Sequence, residues 1–275
     1  MSPSFELAPE LRESFTYLQR GSTEVLIRKG CEEVLLPDGE RYVERLLPRL
    51  LSSARDVMLY RGRGLAVSFP VPGLGDRVVV RHYRHGGWLA CLTGDFFWTR
   101  PPRPFLELAV SEEARRLGVP TPEVVAVVVR WVTPMLYRGD IITREVPEAR
   151  DLLEFFSTET RASVRRRTLR ELAASIRAMH DSQLNHQDLN VRNLLLSGGK
   201  AFLLDLDGAR FFEILGSRRI RANLLRLARS MRKERLAVSD REILYFLYCY
   251  YGEDFRDVYS EEYSGELLCQ KRSSD

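Results

Sequence analysis

The residues best suited to chemistry lie in one stretch, His186 to Arg210, reading HQDLNVRNLLLSGGKAFLLDLDGAR. It carries Asp188 and Asn193, then Asp205 and Asp207, separated by two short apolar runs, Leu194–Leu196 and Ala201–Leu204, around Ser197-Gly198-Gly199-Lys200. Two apolar runs about a glycine turn predict a hairpin that buries itself and holds polar groups at one end. A carboxylate, an amide oxygen and a second carboxylate are the parts that phosphoryl transfer needs. One carboxylate accepts the hydroxyl proton, and hard oxygen donors hold the magnesium that neutralises phosphates. The reading assigns Asp188 as base, Asn193 and Asp205 as metal ligands, and ATP with Mg2+ as nucleotide and cofactor. Asp and Asn in a loop ordinarily make turns or caps. The constellation outweighs that here because a long helical pattern precedes it and an apolar hairpin ending in Asp follows.

The elements around this stretch must position it. Val164 to His180 reads as a helix with Leu169, Leu172, Ala173, Ile176 and Met179 on one side, supporting the loop. His186 reads as a brace for that loop. Upstream, Arg77 to Arg84 is a valine-rich strand in which Arg81 stands where a phosphate-binding cation is needed, since no lysine lies between Lys29 and Lys200. An exposed strand arginine is the ordinary alternative, and Arg84 is the rival. Pro104 to Leu117 predicts a helix stopped by Gly118 and Pro120, with Glu107 as partner for Arg81 and Glu112 and Glu113 as competitors. Gly62-Arg63-Gly64 suits a turn whose amides approach a phosphate, or an ordinary hairpin turn. Val124–Val132 and Met135–Glu145 read as strands, and Val146-Pro147 as a hinge, with adenine read by the backbone at Glu145 and Val146. Trp88, Phe96, Phe97 and Trp98 among arginines suit packing of a loop, with a sugar or lipid contact as the functional alternative. Arg218 to Arg235 is a basic amphipathic helix with Ile220, Leu224, Leu227 and Met231 in a stripe. Its Arg229, Arg232 and Lys233 form a solvated face or meet an anionic membrane surface.

The spacing H-x-D-x-x-x-x-N is that of a protein-kinase catalytic loop. Gln187 and Asn190 depart from the usual Arg and Lys, the later strand ends Asp-Leu-Asp, and no Ala-Pro-Glu follows. A peptide-docking platform is therefore not expected, and the acceptor should be a sugar, lipid or other small molecule. The expected fold is α+β, protein-kinase-like and two-lobed. It has an N-terminal extension over 1–60 packing on the first lobe, a mainly β lobe over 61–146 and a mainly helical lobe over 147–275.

Length and composition agree. The 275 residues with 44% hydrophobic content allow two lobes with ordinary cores. Four scattered cysteines fit a reducing compartment. No leader or spanning segment is read. Of 42 basic residues only four are lysine, and arginine suits phosphate and carboxylate recognition. No nucleic-acid partner is expected.

The residues from about Arg61 to about Arg235 resemble the 3-deoxy-D-manno-octulosonic acid (Kdo) kinases of the lipopolysaccharide kinase family. Gly62-Arg63-Gly64, Val80-Arg81-His82-Tyr83-Arg84-His85-Gly86-Gly87, Gly118-Val119-Pro120-Thr121-Pro122, His186 to Asn190 with Asn193, and Asp205-Leu206-Asp207 carry the resemblance. It implies ATP-dependent phosphorylation of the Kdo 4-hydroxyl on lipid A precursor, at the cytoplasmic face of a bacterial inner membrane, with peripheral anionic-membrane contact. Oligomeric state is not implied. A heptose or other small-molecule kinase, or a catalytically silent kinase fold serving as a binding module, are the competing expectations.

Overall fold

The computed structural model describes residues 9–61, 65–84 and 94–255, which divide into two units. Gly62, Arg63 and Gly64, and Trp88 with His85 to Gly87, lie outside the described residues. The first unit comprises residues 1–113 and 122–146, the second 114–121 and 147–275.

The first unit is a seven-stranded antiparallel sheet in the order β1-β2-β6-β7-β5-β4-β3. Its strands are β1 (Phe15–Arg20), β2 (Thr23–Arg28), β3 (Met58–Arg61), β4 (Leu65–Pro70), β5 (Arg77–His82), β6 (Val124–Trp131) and β7 (Tyr137–Arg144). The segment expected as an extension is more than a cover. A short helix α1 (Pro9–Ser14) leads into β1 and β2, which are members of the sheet, with β2 paired to β6 from Thr23↔Arg130 to Ile27↔Ala126. The next stretch does cover one face. The helix α2 (Glu32–Leu35), a 3-10 turn over Glu40–Arg45 and the helix α3 (Leu46–Ser53) bring Leu35, Val43, Leu46, Leu47 and Leu50 onto Val25, Ile27, Val78, Val80 and Val128. The stretch 42–51 is not one continuous helix, because Arg45, between the 3-10 turn and α3, departs from helical φ/ψ at −99°, 0°.

The other face is covered by α4 (Arg103–Arg116), whose Phe105 and Leu108 pack with Leu26, Val127, Val129, Tyr137 and Ile141. Strand residues alternate between the two cores as a pleated sheet requires. The alternation slips in β6, where Val124 faces one core and both Val125 and Ala126 the other, at a break in register against β7. Such a bulge lets an eight-residue apolar strand bury both faces while it twists. Gly139 on β7 lets α4 approach, since a Cβ there would sit 2.5 Å from Pro104 Cγ. Phe97 is buried in this second core and bridges to Tyr137, whereas Trp98 is exposed. The aromatic run thus does the packing at Phe97.

The second unit is mainly helical. After β8 (Arg150–Asp151), α5 (Leu152–Thr158) is capped by the Asp151 carboxylate, which accepts from Leu153 N–H at 2.6 Å. The helix α6 (Ala162–Asp181) buries Leu169, Leu172, Ala173, Ile176 and Met179, the periodic set read from sequence. Then follow β9 (Leu184–Asn185), a 3-10 turn (Val191–Asn193), the hairpin of β10 (Leu194–Ser197) and β11 (Lys200–Leu203), and β12 (Arg210–Phe211). The hairpin register pairs Leu194 with Leu203 and Ser197 with Lys200, with Gly198 and Gly199 at positive φ in the turn. The helices α7 (Ser217–Lys233) and α8 (Asp240–Tyr251) close the unit, α8 beginning with a capping box of Ser239 and Glu242. The 114–121 segment belongs here as well: Leu203 N–H donates to Pro120 O and the Thr121 hydroxyl to Leu203 O.

Candidate active site

In the second unit the loop between β9 and β10 is held by its own side chains. The Asp188 carbonyl accepts from Asn190 Nδ2 and from Asn193 Nδ2, both at 2.9 Å. Asn190 Oδ1 in turn accepts from Arg192 N–H, capping the 3-10 turn. These bonds fold the five-residue spacing back on itself, so the 188 and 193 side chains leave one tight loop. Because the Asn193 amino group is spent on Asp188, its amide oxygen is the end left to act as a ligand. His186 is 1% exposed and fully engaged: Nε2 donates to Leu204 O at 3.0 Å, and Nδ1 accepts from Asp188 N–H at 3.2 Å. Burial holds its pKa below the usual histidine value, so it stays neutral and braces the loop.

The hairpin brings the second acid to the same place. Leu204 N–H donates to Asn193 O, and Asp205 follows at once with φ 57°, a left-handed conformation that Asp tolerates better than most residues. A non-glycine backbone held there ends the strand geometry at Asp205, next to the loop it serves. Gly208, at φ 80°, then turns the chain toward β12. Asp188, Asp205 and Asp207 are all half-buried. Among the described residues no three His, Cys, Asp or Glu converge as a cage. The donor set fits magnesium nonetheless, because that ion keeps waters and phosphate oxygens and takes only one or two carboxylates from protein.

In the first unit Arg81 and Glu107 meet. Arg81 Nη2 lies 2.6 Å from both carboxylate oxygens of Glu107. The Tyr83 hydroxyl also donates to Glu107, and its ring lies 4.8 Å below the Arg81 guanidinium. Glu107 is 4% exposed and Arg81 27%, so the acid is fixed while the cation reaches outward. The competitor Glu112 is engaged by Arg28 at 2.5 Å. Arg84 lies past the strand and is exposed.

Glu145, expected to meet adenine, is a junction of strands. Its carboxylate accepts from the Tyr60 and Ser68 hydroxyls and from Arg77 Nε, tying β3, β4 and β5 to the end of β7. The Tyr60 hydroxyl is pushed up to about 12, by burial first and by Glu145 next, so it remains a donor. The Glu145 N–H is also taken, by Arg77 O at 2.9 Å, so this amide is not the one an adenine would meet. Tyr83 and the Tyr60–Ser68–Arg77 group were not legible in the sequence, since Tyr83 meets its acid on the helix α4 and the other three meet Glu145 from 68 to 85 residues away in the chain.

Residues 58–250 match the family model described as the lipopolysaccharide kinase (Kdo/WaaP) family. The chain is 33% identical over 159 residues to a 3-deoxy-D-manno-octulosonic acid kinase of Vibrio cholerae, covering 56% of this chain and 65% of that one. It is 30% identical over 188 residues to the Haemophilus influenzae protein of that name, covering 63% and 74%. It thus spans about two thirds of the length of these relatives. A solved structure titled WaaP in complex with acyl carrier protein superposes with a TM-score of 0.59 at 17% identity, covering 86% of this chain and 92% of that one. That likeness establishes the fold as kinase-like.

Proposed function

Because this chain belongs to the lipopolysaccharide kinase (Kdo/WaaP) family, we propose that it transfers the γ-phosphoryl group of ATP to the 4-hydroxyl of a Kdo sugar on lipid A precursor. The observation that carries the reading is the second-unit cluster. Asp188 and Asn193 share one self-bonded loop, and Leu204 N–H ties the strand ending in Asp205 to Asn193.

In this reading Asp188 accepts the proton of the sugar hydroxyl and orients its oxygen for attack. Asn193 Oδ1 and Asp205 are the residues that would hold magnesium, which when bound neutralises phosphate charge. Arg81 binds the nucleotide phosphates, held in place by Glu107 and Tyr83. The main chain near Val146 reads adenine through atoms other than Glu145 N–H. His186 takes no proton, being buried, neutral and bonded at both nitrogens.

The acceptor is a membrane lipid, and we place the protein at the inner-membrane surface by peripheral contact. No helix among the described residues is long and apolar enough to cross a membrane. The face of α7 that carries Arg229, Arg232 and Lys233 is exposed and cationic, as an anionic surface requires.

The test is turnover of ATP with Kdo-bearing lipid A precursor, heptose-bearing core and a generic protein acceptor, for the natural protein and Asp188→Asn. Expected is transfer to the Kdo lipid alone, with the variant binding ATP normally and losing transfer by about 10²–10⁴-fold. Preference for the heptose acceptor would reassign the substrate. Normal turnover in Asp188→Asn would remove that residue from the role.

A further inference from the structure

The internal bonds of the 186–193 loop fix its shape but not its place in the unit. Beside the hairpin bonds at Leu204, its place is set by α7, which no step of the chemistry uses. Val191 N–H donates to Ser230 Oγ at 3.1 Å, and Ser230 donates its own proton to Leu227 O at 2.7 Å. The hydroxyl's proton is thus committed within the helix, and a lone pair faces the loop. One turn on, Glu234 takes Arg192 in a two-nitrogen fork, Nε to Oε1 at 2.9 Å and Nη2 to Oε2 at 2.6 Å. Ser230 and Glu234 are four residues apart and so share a face. At the other end of the loop, fully buried Asn223 donates to Asn185 Oδ1 at 3.0 Å and faces His180 Nε2 at 3.2 Å. One helix therefore grips the chain before Asp188, at Asn185, and after it, at Val191 and Arg192.

We propose that Ser230 of α7 and Glu234 at its C-cap are positioning residues that set the catalytic loop between Asp188 and Asn193. The proposal rests on the reading of Asp188 as the base. Packing alone does not explain the two side chains. An apolar residue would fill the 230 position without a lone pair for Val191, which is itself 0% exposed. The Arg192–Glu234 pair has side chains 43% and 22% exposed, where an ion pair adds little stability. What the two contacts supply is direction: a fixed N–H at 191 and a forked guanidinium at 192 leave the turn one orientation. A loop displaced by about 1 Å can cost about a hundredfold in rate without unfolding anything.

The experiment measures kcat, KM for ATP and melting temperature in the full chain, with ATP and Kdo-bearing lipid A precursor, and with acceptor-independent ATP hydrolysis as a second readout. Ser230→Ala should lower kcat about tenfold, the size expected for one buried donor left without its acceptor, at unchanged KM for ATP. Ser230→Thr, which keeps the hydroxyl, should restore it. Glu234→Gln should lower kcat by about three- to tenfold, and the exchanged pair R192E/E234R should recover most of it. In an Asp188→Asn background Ser230→Ala should cost almost nothing more, because its effect passes through that carboxylate. Wild-type kcat in Ser230→Ala and Glu234→Gln overturns the proposal. So does a loss that tracks melting temperature and is rescued by neither Thr nor the exchanged pair. A fully active Asp188→Asn would instead overturn the base assignment, so the two failures are distinguishable.

Discussion

Removing Arg81 tests the nucleotide side of the mechanism. Two effects should separate in that variant. The first is on the fold. An exposed ion pair is worth at most about 1 kcal/mol. Glu107, however, is 4% exposed, and without Arg81 its buried charge loses the guanidinium 2.6 Å away. Breaking a buried pair costs about 3–5 kcal/mol. Because Arg81 is itself 27% exposed, solvent screens part of that, and about 2–3 kcal/mol is the figure to expect for Arg81→Ala. In a unit of this size that is a fall of about 5–10 °C in melting temperature. Pairing the change with Glu107→Gln removes the stranded charge, so the double variant should regain most of the loss. The second effect is on catalysis. A preorganised cation on developing phosphate charge is worth about 10²–10³ in rate, and Arg81→Ala should show it in kcat/KM for ATP. Glu107→Gln should show a smaller loss, because the cation remains but is no longer held. The double variant should be about as slow as Arg81→Ala alone, not slower by the product, since the two act as a unit. The assay is a double-mutant cycle read twice, by calorimetry and by steady-state kinetics. Near-normal turnover in Arg81→Ala would refute the assignment and move it to Arg84. Losses that multiply would refute the claim that Glu107 acts through Arg81.

Two further outcomes follow from the structure. His180 is buried with Nδ1 against the Tyr250 hydroxyl, and burial followed by Arg177 lowers its pKa from 6.5 to about 4. A histidine depressed in the folded state contributes full stability above its unfolded value, and loses it as pH falls from about 6.5 toward 4. A shift of about 2.5 units at about 1.36 kcal/mol each makes the loss about 3 kcal/mol, and His180→Gln should flatten this acid limb in melts across pH 4–7. An unchanged limb would show that other groups set it; His82, raised chiefly by its hydrogen bond to Asp140, acts in the opposite sense, losing stability as pH rises through its folded value. Binding to anionic vesicles should weaken steeply with salt, and Gln at positions 229, 232 and 233 should weaken it further. Insensitivity to both changes would leave the α7 face merely solvated.

The sequence by itself determined what the chain can place with short-range chemistry. His186, Asp188, Asn193 and Asp205 lie within twenty residues, and their loop and hairpin are made by neighbours: Asn190 and Asn193 bond Asp188, and a glycine turn closes β10 on β11. The helix α6 was legible because its buried stripe repeats at helical spacing, and the Arg81–Glu107 pair because a strand lacking lysine needs its cation held by a nearby helix. The tertiary structure decided everything that depends on pairing across distance. Strand pairing has no local signal beyond alternation, so β1 and β2 gave no sign that they enter the sheet beside β6, about a hundred residues on. Glu145 reads in sequence as a backbone position that meets adenine, yet its carboxylate gathers Tyr60, Ser68 and Arg77 from three strands, and its amide pairs with Arg77. Ser230 and Glu234 sat in what read as a basic helix, and only folding brings them to Val191 and Arg192, 39 and 42 residues upstream. A chemical group can be recognised from its neighbours in sequence; the scaffold that aims it is recruited from wherever the hydrophobic cores bring the chain together.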